Sequence, residues 1–206
     1  MPNPTRAGRP IDRSKDEAIL NAVRALLFTQ NPQPFSINAV ARKANVSKMT
    51  LYSRYVSREV LIDAAVQLQV KELSSAISII PSERQDLQKA LTQFGIDLLT
   101  FLLSDDHLGF MRALSSAPEI TAESLSQIYQ NGPLATLNRL TNWLQEADAS
   151  GLVHFSHPDK SAELLIGMFI GLDMIRASYG KPCQNSKKEI EEHAHWVACS
   201  FLKMHR

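Results

Sequence analysis

The amino-acid sequence predicts an all-α protein, and three observations support this. Leu, Ala, Ile and Ser recur at helical spacing, whereas few segments show the alternation with period two that is typical of strands. Only eight Gly and ten Pro interrupt the 206 residues, and no internal repeat is visible. A hydrophobic content of 44% is enough for a substantial core, so most of the chain is not expected to be disordered.

The N-terminal part is expected to consist of a flexible basic arm followed by four helices. Residues 1–13 are rich in Pro, Gly and Arg and form the arm. Ser14 with Glu17 three positions later suggests a capping box for the first helix, which the segment Asn31-Pro32-Gln33-Pro34 ends. Later helices are expected to begin at three serines suited to N-cap positions: Ser36, Ser47 and Ser57.

Longer helices are expected in the rest of the chain. Their approximate ranges are 83–103, 107–114, 119–149, 159–179 and 187–204. Gly132-Pro133 should bend or break the third of these helices, because proline removes a backbone hydrogen bond.

Charge is distributed unevenly along the chain, although the net charge is only +1. Residues 1–60 hold ten Lys and Arg against four Asp and Glu, a net of +6, and the remainder holds twelve against seventeen, a net of −5. A basic N-terminal quarter is typical of nucleic-acid binding, since phosphates are contacted by Lys and Arg. Chance variation among solvated faces is the alternative on charge alone.

Neither a membrane span nor a secretory signal is visible in the sequence. The longest apolar run, Leu164 to Ile175, contains Asp173 and is shorter than the roughly 18 residues of a spanning helix. The two cysteines are too few for a disulfide framework, and the N-terminus lacks an apolar signal core. A cytoplasmic protein is therefore expected.

No arrangement of residues indicates catalysis, a metal or a cofactor. His154 and His157 lie in a loop without a third ligand nearby, and His193 and His195 point to opposite sides of a helix, although His195 and Cys199 share a face. There is no phosphate-binding loop and no nucleophile elbow. We therefore expect a protein that is not an enzyme.

Two short helices joined by the three-residue turn at 44–46 match the helix-turn-helix plan, in which the second helix enters the major groove of DNA. Asn45 suits the turn because Asn tolerates a positive φ, and Leu51 and Tyr55 are expected to face inward. The positions expected to be exposed toward base edges are Lys48, Met49, Thr50, Tyr52, Ser53 and Arg54.

Residue types suggest separate roles at this surface. The residues suited to phosphate contact are Ser36, Ser47, Tyr52 and Arg58. Lys48 and Arg54 can donate to guanine, and Met49 or the Thr50 methyl can contact a thymine methyl. In the alternative interpretation the serines only cap helices and the cations are only solvated; each residue alone favours it, but their joint spacing does not.

The segment FSINAVARKANVSKMTLY at 35–52, followed by Tyr55 and by Arg58-Glu59-Val60-Leu61, resembles the N-terminal signature of the TetR (TetR/AcrR) family of transcriptional regulators. The resemblance implies that residues 14–61 form the DNA-binding domain and residues 62–206 a ligand-binding and dimerisation domain. It also implies DNA-backbone contacts at the start of the second helix, from Ser36, Ile37 and Asn38, and a phosphate anchor at Arg58.

This sequence departs from the family signature in a few places. Ser36 stands where Thr is usual, Asn45 replaces Gly, Arg54-Tyr55 replaces a common His-Phe pair, and Arg58 replaces Lys. Arg54 is the departure expected to alter operator preference. Gly8-Arg9-Pro10 in the arm can fit a narrow minor groove, and an arm that makes no specific contact is the alternative.

Two further sites are implied by the resemblance. The dimer interface is expected in the last two long helices, with candidates Leu164, Gly167, Met168, Gly171, Ile175, Val197 and Phe201. A pocket for a small, largely apolar inducer is expected between the C-terminal helices, with candidates Phe94, Leu98, Phe110, Met111, Tyr129, Trp143 and Phe169. Plain core residues of a monomer are the alternative for both sets.

The sequence thus predicts a cytoplasmic, homodimeric, ligand-responsive regulator that binds double-stranded DNA. Repression of a palindromic operator, relieved by the inducer, is the expected mode. A helical ligand-binding or adaptor protein without DNA-binding activity is the alternative. The sequence leaves open the inducer, the operator, the sign of regulation and the regulated genes.

Overall fold

A computed structural model describes residues 13–27, 36–116, 121–181, 183 and 186–205. Within these ranges the fold is all-α, as predicted. The helices are α1 (Arg13–Leu27), α2 (Ile37–Lys43), α3 (Lys48–Tyr52), α4 (Arg58–Leu73), α5 (Arg84–Leu102), α6 (Asp105–Ser116), α7 (Ala122–Tyr129), α8 (Ala135–Ala149), α9 (Pro158–Ile170), α10 (Asp173–Ser178) and α11 (Lys187–Met204).

Helices α1 to α3 and the first half of α4 enclose a small core, and we call this region the head. Its fully or nearly buried residues are Ile19, Ala22, Val23, Val40, Ala41, Leu51, Leu61 and Ala65. The caps predicted at Ser36, Ser47 and Ser57 are confirmed, because each serine accepts the backbone N–H three residues later. These caps fix where the short helices begin, so local chemistry shapes the head.

The predicted start of α1 is wrong. Ser14 already lies within the described helix, Arg13–Leu27, and is therefore not its N-cap residue. The remainder of the predicted arm and the proline-rich stop at 31–34 lie outside the described residues.

Helix α4 belongs to both halves of the molecule. Leu61 and Ala65 pack in the head core, whereas Val66 and Val70, farther along the same helix, line a cavity in the C-terminal part. The helix is continuous through residues 61 and 62, where the sequence suggested a domain boundary. That boundary stays a proposal, and α4 is a mechanical link across it.

The C-terminal core forms where α5 packs against α11 and α8 packs against α9. Its large, fully buried residues include Leu87, Leu91, Phe94, Leu140, Leu144, Phe169 and Phe201. Gly95 allows a close approach, since a Cβ atom there would overlap the Phe169 ring. The glycine therefore lets the Phe169 ring lie directly against α5.

Two interruptions in the long helices define the cavity walls. The predicted break at Gly132-Pro133 is confirmed as a π-helical turn, 130–134, between α7 and α8. The single helix predicted over 159–179 is wrong, because Gly171 adopts φ +50° and separates α9 from α10. In the described part of the chain, no helix combines the length and apolar character needed to cross a membrane.

Candidate nucleic-acid interface and ligand cavity

The turn between α2 and α3 depends on Asn45, which adopts the left-handed conformation with φ 53°. This confirms the prediction from its residue type, since Asn tolerates that region better than most side chains. The backbone N–H of Val46 then donates to the carbonyl of Ala41 at 3.0 Å. The turn therefore holds α3 at a fixed angle to α2.

Helix α3 presents a short polar surface. Ser47 Oγ accepts the backbone N–H of Thr50 at 3.0 Å and lies 2.8 Å from the Thr50 hydroxyl. Leu51 is fully buried beneath it, whereas Met49 is 81% exposed. An apolar side chain held so far out on a capped helix is available to contact a partner.

The predicted DNA-facing residues differ in exposure. Those exposed at the surface are Ser36, Asn38, Ser47, Lys48, Met49, Tyr52, Ser53 and Arg58. Ile37 and Thr50 are half-buried, and Ile37 packs against the head core. The exposed set spans the starts of α2 and α4 and most of α3, so the structure brings these residues to the outside of the head.

Arg54 is not where the sequence analysis expected it. It lies in the turn after α3, its side chain is only 15% exposed, and its Nη1 is 2.6 Å from Asp16 Oδ1 on α1. Burial and the nearby Asp16 carboxylate also raise the pKa of the neighbouring Tyr55. The prediction that Arg54 is exposed on the recognition helix is therefore wrong, because the ion pair with Asp16 draws it against α1.

Val56 was missed by the sequence analysis. It is an 80% exposed apolar residue in the connection between α3 and α4, just before Arg58. Helical periodicity assigns buried and exposed faces only within a helix, so it could not predict the exposure of a residue in a turn. An exposed methyl group next to a cation suits contact with a DNA surface.

A cavity of about 290 Å³ lies in the C-terminal part, beneath the second half of α4. Most of its wall is apolar and comes from α4, α5, α6, α9 and α10: Val66, Val70, Leu98, Phe110, Ile166 and Met174. Gly132 and Pro133 contribute the π-helical turn to the wall. This volume and lining suit a small, largely apolar molecule.

Three of the seven predicted cavity residues line this cavity: Leu98, Phe110 and Met111. The others do not. Phe94 and Phe169 pack edge to face in the core with ring centroids 6.2 Å apart, and Trp143 is buried with its Nε1 donating to the Ile79 carbonyl at 3.0 Å. Tyr129 is exposed at the end of α7.

Polar groups in the cavity wall are few and carry no charge at neutral pH. Gln69 and His107 are each 8% exposed, and Thr136 donates its hydroxyl hydrogen to the Gly132 carbonyl at 3.0 Å. Burial lowers the pKa of His107 to about 4, so its imidazole is neutral at pH 7. Among the described residues that line the cavity there is no Asp, Glu, Lys or Arg.

Hydrogen bonds connect the cavity wall to α4. Asp63 on α4 accepts from Gln127 Nε2 at 2.6 Å and from Asn131 Nδ2 at 2.9 Å. Gln127 belongs to α7, and Asn131 belongs to the π-helical turn that supplies Gly132 and Pro133 to the wall. The turn is therefore tied to the head-proximal half of α4.

The predicted dimer candidates divide into exposed and buried residues. The exposed ones on α9 and α10 are Leu164, Gly167, Gly171 and Ile175, while Met168 is half-buried. Val197 and Phe201 on α11 are fully buried against the C-terminal core, so their prediction as interface residues is wrong. The apolar stripe of α11 serves the core, and Trp196, 62% exposed on another side of α11, was missed.

Structures of known proteins share this fold. A TetR regulator from Agrobacterium tumefaciens is 21% identical with a TM-score of 0.70, over 93% of this chain and 94% of that one. A Mesorhizobium loti protein described as a TetR-family regulator is 22% identical with a TM-score of 0.68, over 94% and 98%. The flavonoid-responsive regulator FrrA is 23% identical with a TM-score of 0.63, over 95% and 98%.

Family models match both halves of the chain. Residues 19–65 match the model described as bacterial regulatory proteins, tetR family, and residues 89–205 match the model of the AefR-like transcriptional repressor, C-terminal domain. Comparison with curated protein sequences gave no match. The helix-turn-helix head, the cavity beneath α4 and the match of the second model to more than half of the chain place it in one family: the protein belongs to the TetR family of DNA-binding transcriptional regulators.

Proposed function

We propose that this regulator is a homodimeric repressor that binds a palindromic operator and is released from it by a small, uncharged, largely apolar inducer. One observation carries the proposal. Helix α4 begins at exposed Arg58, next in sequence to the helix-turn-helix, and its second half lines the cavity. A molecule in the cavity therefore contacts the helix that positions the head. Binding that favours another position of α4 would lower operator affinity by population shift.

The proposed DNA contacts follow from exposure and residue type. Ser36, Asn38, Ser47, Tyr52 and Arg58 are assigned to the phosphate backbone, with Ile37 bracing the start of α2. The side chains assigned to the major groove are Lys48, Met49, Thr50 and Ser53. Arg54 is removed from this set, since it is paired with Asp16.

The proposed dimer interface is the exposed apolar face of α9 and α10. Leu164, Leu172 and Ile175 are each at least half exposed there, beside Gly167 and Gly171. Among the described residues, only each glycine's own neighbours in the chain lie within 4 Å of a Cβ built at Gly167 or Gly171, so a second helix can approach closely. A two-fold pairing through this face would place two heads on two half-sites of a palindrome.

The nature of the inducer is proposed from the cavity. Its apolar wall and lack of ionised side chains favour an uncharged ligand, because burial of a charge without a partner is costly. A similar fold is found in a regulator named as flavonoid-responsive, so flavonoids are a reasonable first class of test compounds. The match to a model named for a repressor supports the proposed sign of regulation.

Operator binding can be tested by fluorescence anisotropy with DNA fragments that flank the protein's own gene. We expect the anisotropy to rise on binding and the operator affinity to fall steeply with salt concentration, since phosphate contacts release counterions. Arg58→Ala should weaken binding to all sequences alike and reduce the salt slope by about 1. Arg139→Ala, an exposed cation on α8, serves as the control and should change neither.

Two outcomes would contradict the proposal. If no flanking fragment shows salt-sensitive binding in this assay, a ligand-binding or adaptor protein without DNA-binding activity is favoured instead. If scrambling one half of the bound site leaves affinity unchanged, the palindromic, dimeric mode is wrong. Release of bound DNA by a cavity ligand, measured in the same assay, tests the proposed action of the inducer.

A further inference from the structure

Gln69 occupies a special position between the cavity and the head. It lines the apolar cavity of about 290 Å³ and also a separate polar cleft of about 310 Å³ next to α1. The cleft is lined by Asn21 and Arg24 of α1, by Ser104 in the connection between α5 and α6, and by Asp106 of α6. Gln69 therefore forms part of the partition between the ligand space and the surface of the head.

Across this partition, Gln69 is bound directly to the head. Arg24 donates from Nη2 to Gln69 Oε1 at 2.6 Å. The same guanidinium binds Glu72, one turn farther along α4, with Nη1 at 3.0 and 2.9 Å from the two carboxylate oxygens. One side chain of α1 thus contacts two residues of α4 in different surroundings.

The two contacts of Arg24 differ in what can disturb them. Glu72 is half exposed and does not line the cavity, so its ion pair is screened by water and insensitive to a cavity ligand. Gln69 is buried and faces the cavity. Because a guanidinium only donates, Gln69 must turn its carbonyl oxygen toward Arg24 to keep the bond. Any molecule that rotates or displaces the Gln69 amide breaks it.

Loss of this bond has a defined mechanical consequence. Apolar contacts hold α1 to the head-proximal half of α4, through Ile19 and Val23 against Leu61 and Ala65. The Arg24 contacts, with Gln69 and Glu72, lie farther along α4 toward the C-terminal part. Without the Gln69 bond, α1 loses its buried polar contact with the second half of α4 and keeps the more exposed pair with Glu72, so the angle between α1 and α4 is less restricted.

Resting on the function proposed above, we propose that Gln69 is the coupling residue of this regulator: a ligand in the cavity displaces the Gln69 amide, breaks its hydrogen bond to Arg24 and loosens the head on α4. The contact of Arg24 with Glu72 stabilises the same packing but does not report the state of the cavity. Coupling therefore depends on one of the two acceptors of a single arginine.

Operator affinity of matched variants of the full-length protein tests this coupling. Gln69→Met and Arg24→Met should each weaken operator binding by about 5- to 20-fold, and the double variant should be no weaker than either single variant. Glu72→Gln should change affinity by less than about twofold, since it removes an exposed pair. Additive effects of the two single variants, or equal effects of all three, would overturn the proposal.

A second measurement separates coupling from simple stabilisation and does not need DNA. Val70→Phe and Thr136→Phe each add a ring to the cavity and imitate an occupant; two variants are used in case one does not fold. Hydrogen exchange of the α1 amides should be faster in each of these cavity-filling variants, which keep Arg24 and Gln69, than in the wild-type protein. In the Arg24→Met background, filling the cavity should produce no further increase.

The outcomes of the two measurements are distinct. If the wild-type protein binds no DNA but filling accelerates exchange in α1, the proposed function fails and the coupling stands. If operator binding is normal but filling the cavity leaves α1 exchange unchanged, the coupling fails and the function stands. A lowered melting temperature of Gln69→Met with unchanged operator affinity would make the Arg24 bond structural only.

Discussion

The head, with its proposed DNA-contacting surface, and the apolar cavity are built in opposite ways. The proposed DNA-contacting surface comes from one continuous stretch, Ser36 to Arg58, whose helices start at serine caps and turn at Asn45. The cavity draws its wall from seven helices and a π-helical turn, between Val66 and Met174. Short-range hydrogen bonds thus define the first site, and long-range packing defines the second.

This difference teaches where a substitution should act. In the head, each exposed side chain projects from a frame that its neighbours in sequence already fix. In the C-terminal part, a residue that looks like a wall residue is in several cases a core residue whose removal disturbs the entire packing. The following predictions test this contrast.

The largest effect is expected at Phe169. Phe169→Ala should lower the free energy of unfolding by about 3–5 kcal/mol, because the ring is fully buried against Phe94 and Gly95. Met111→Ala, which lines the cavity but is 41% exposed, should cost less than about 1.5 kcal/mol. Urea unfolding at one fixed protein concentration measures both. Equal losses would abolish the distinction between core and wall.

A smaller effect is expected from the pH dependence of His107. Its pKa of about 4 in the folded protein lies below the ordinary value of 6.5, so the unfolded chain takes up a proton first as the pH falls. The stabilisation is therefore complete above pH 6.5 and is lost as the pH falls toward 4. Between pH 7 and pH 5 this loss should be roughly 2 kcal/mol.

The matched variants for this pH dependence are His107→Leu and His157→Gln. His107→Leu should lose less stability than the wild-type protein between pH 7 and pH 5, measured by urea unfolding at each pH. His157 is exposed, and its variant should keep the wild-type slope. If His107→Leu keeps that slope as well, the buried imidazole is not its cause, and the cavity is more accessible to water than its lining indicates.

The smallest effect on stability is expected in the head, at Arg54. Arg54→Ala should lower the free energy of unfolding by about 1 kcal/mol, because its ion pair with Asp16 is only partly shielded from water. Operator preference should not change. Lys48→Ala should do the reverse, with altered operator binding and near-normal stability, since Lys48 is exposed at the start of α3. If Arg54→Ala alters the preference of the protein for bases in the operator, Arg54 contacts the major groove after all.

Local rules account for what could be predicted from the sequence. The caps at Ser36, Ser47 and Ser57, the turn at Asn45 and the break at Gly132-Pro133 depend on neighbours within a few positions, and all are confirmed. The cap predicted at Ser14 is the exception, since this residue lies inside α1. Arg54 could not be placed in this way, because its partner Asp16 lies on another helix. The residue type alone was compatible with both a base contact and an ion pair.

The residues that line the cavity cannot be predicted from helical periodicity. A helical stripe shows that Phe94, Leu98 and Phe169 turn inward, but it does not show whether the space they reach is filled. The structure places Leu98 at the void and the two phenylalanines against each other. Gln69 and His107 were overlooked because they are polar, and polar residues on a helix are ordinarily assigned to its solvated side.

The π-helical turn at 130–134 sets the rotational register between α7 and α8. A π-helical turn holds one residue more than an α-helical turn, and each residue of an α-helix corresponds to about 100° of rotation. Deleting one residue here would rotate α7 by that angle relative to α8 and carry Gln127 away from Asp63. Length variation at this single point would therefore reshape the cavity and reset the attachment of α4, without any substitution in the wall.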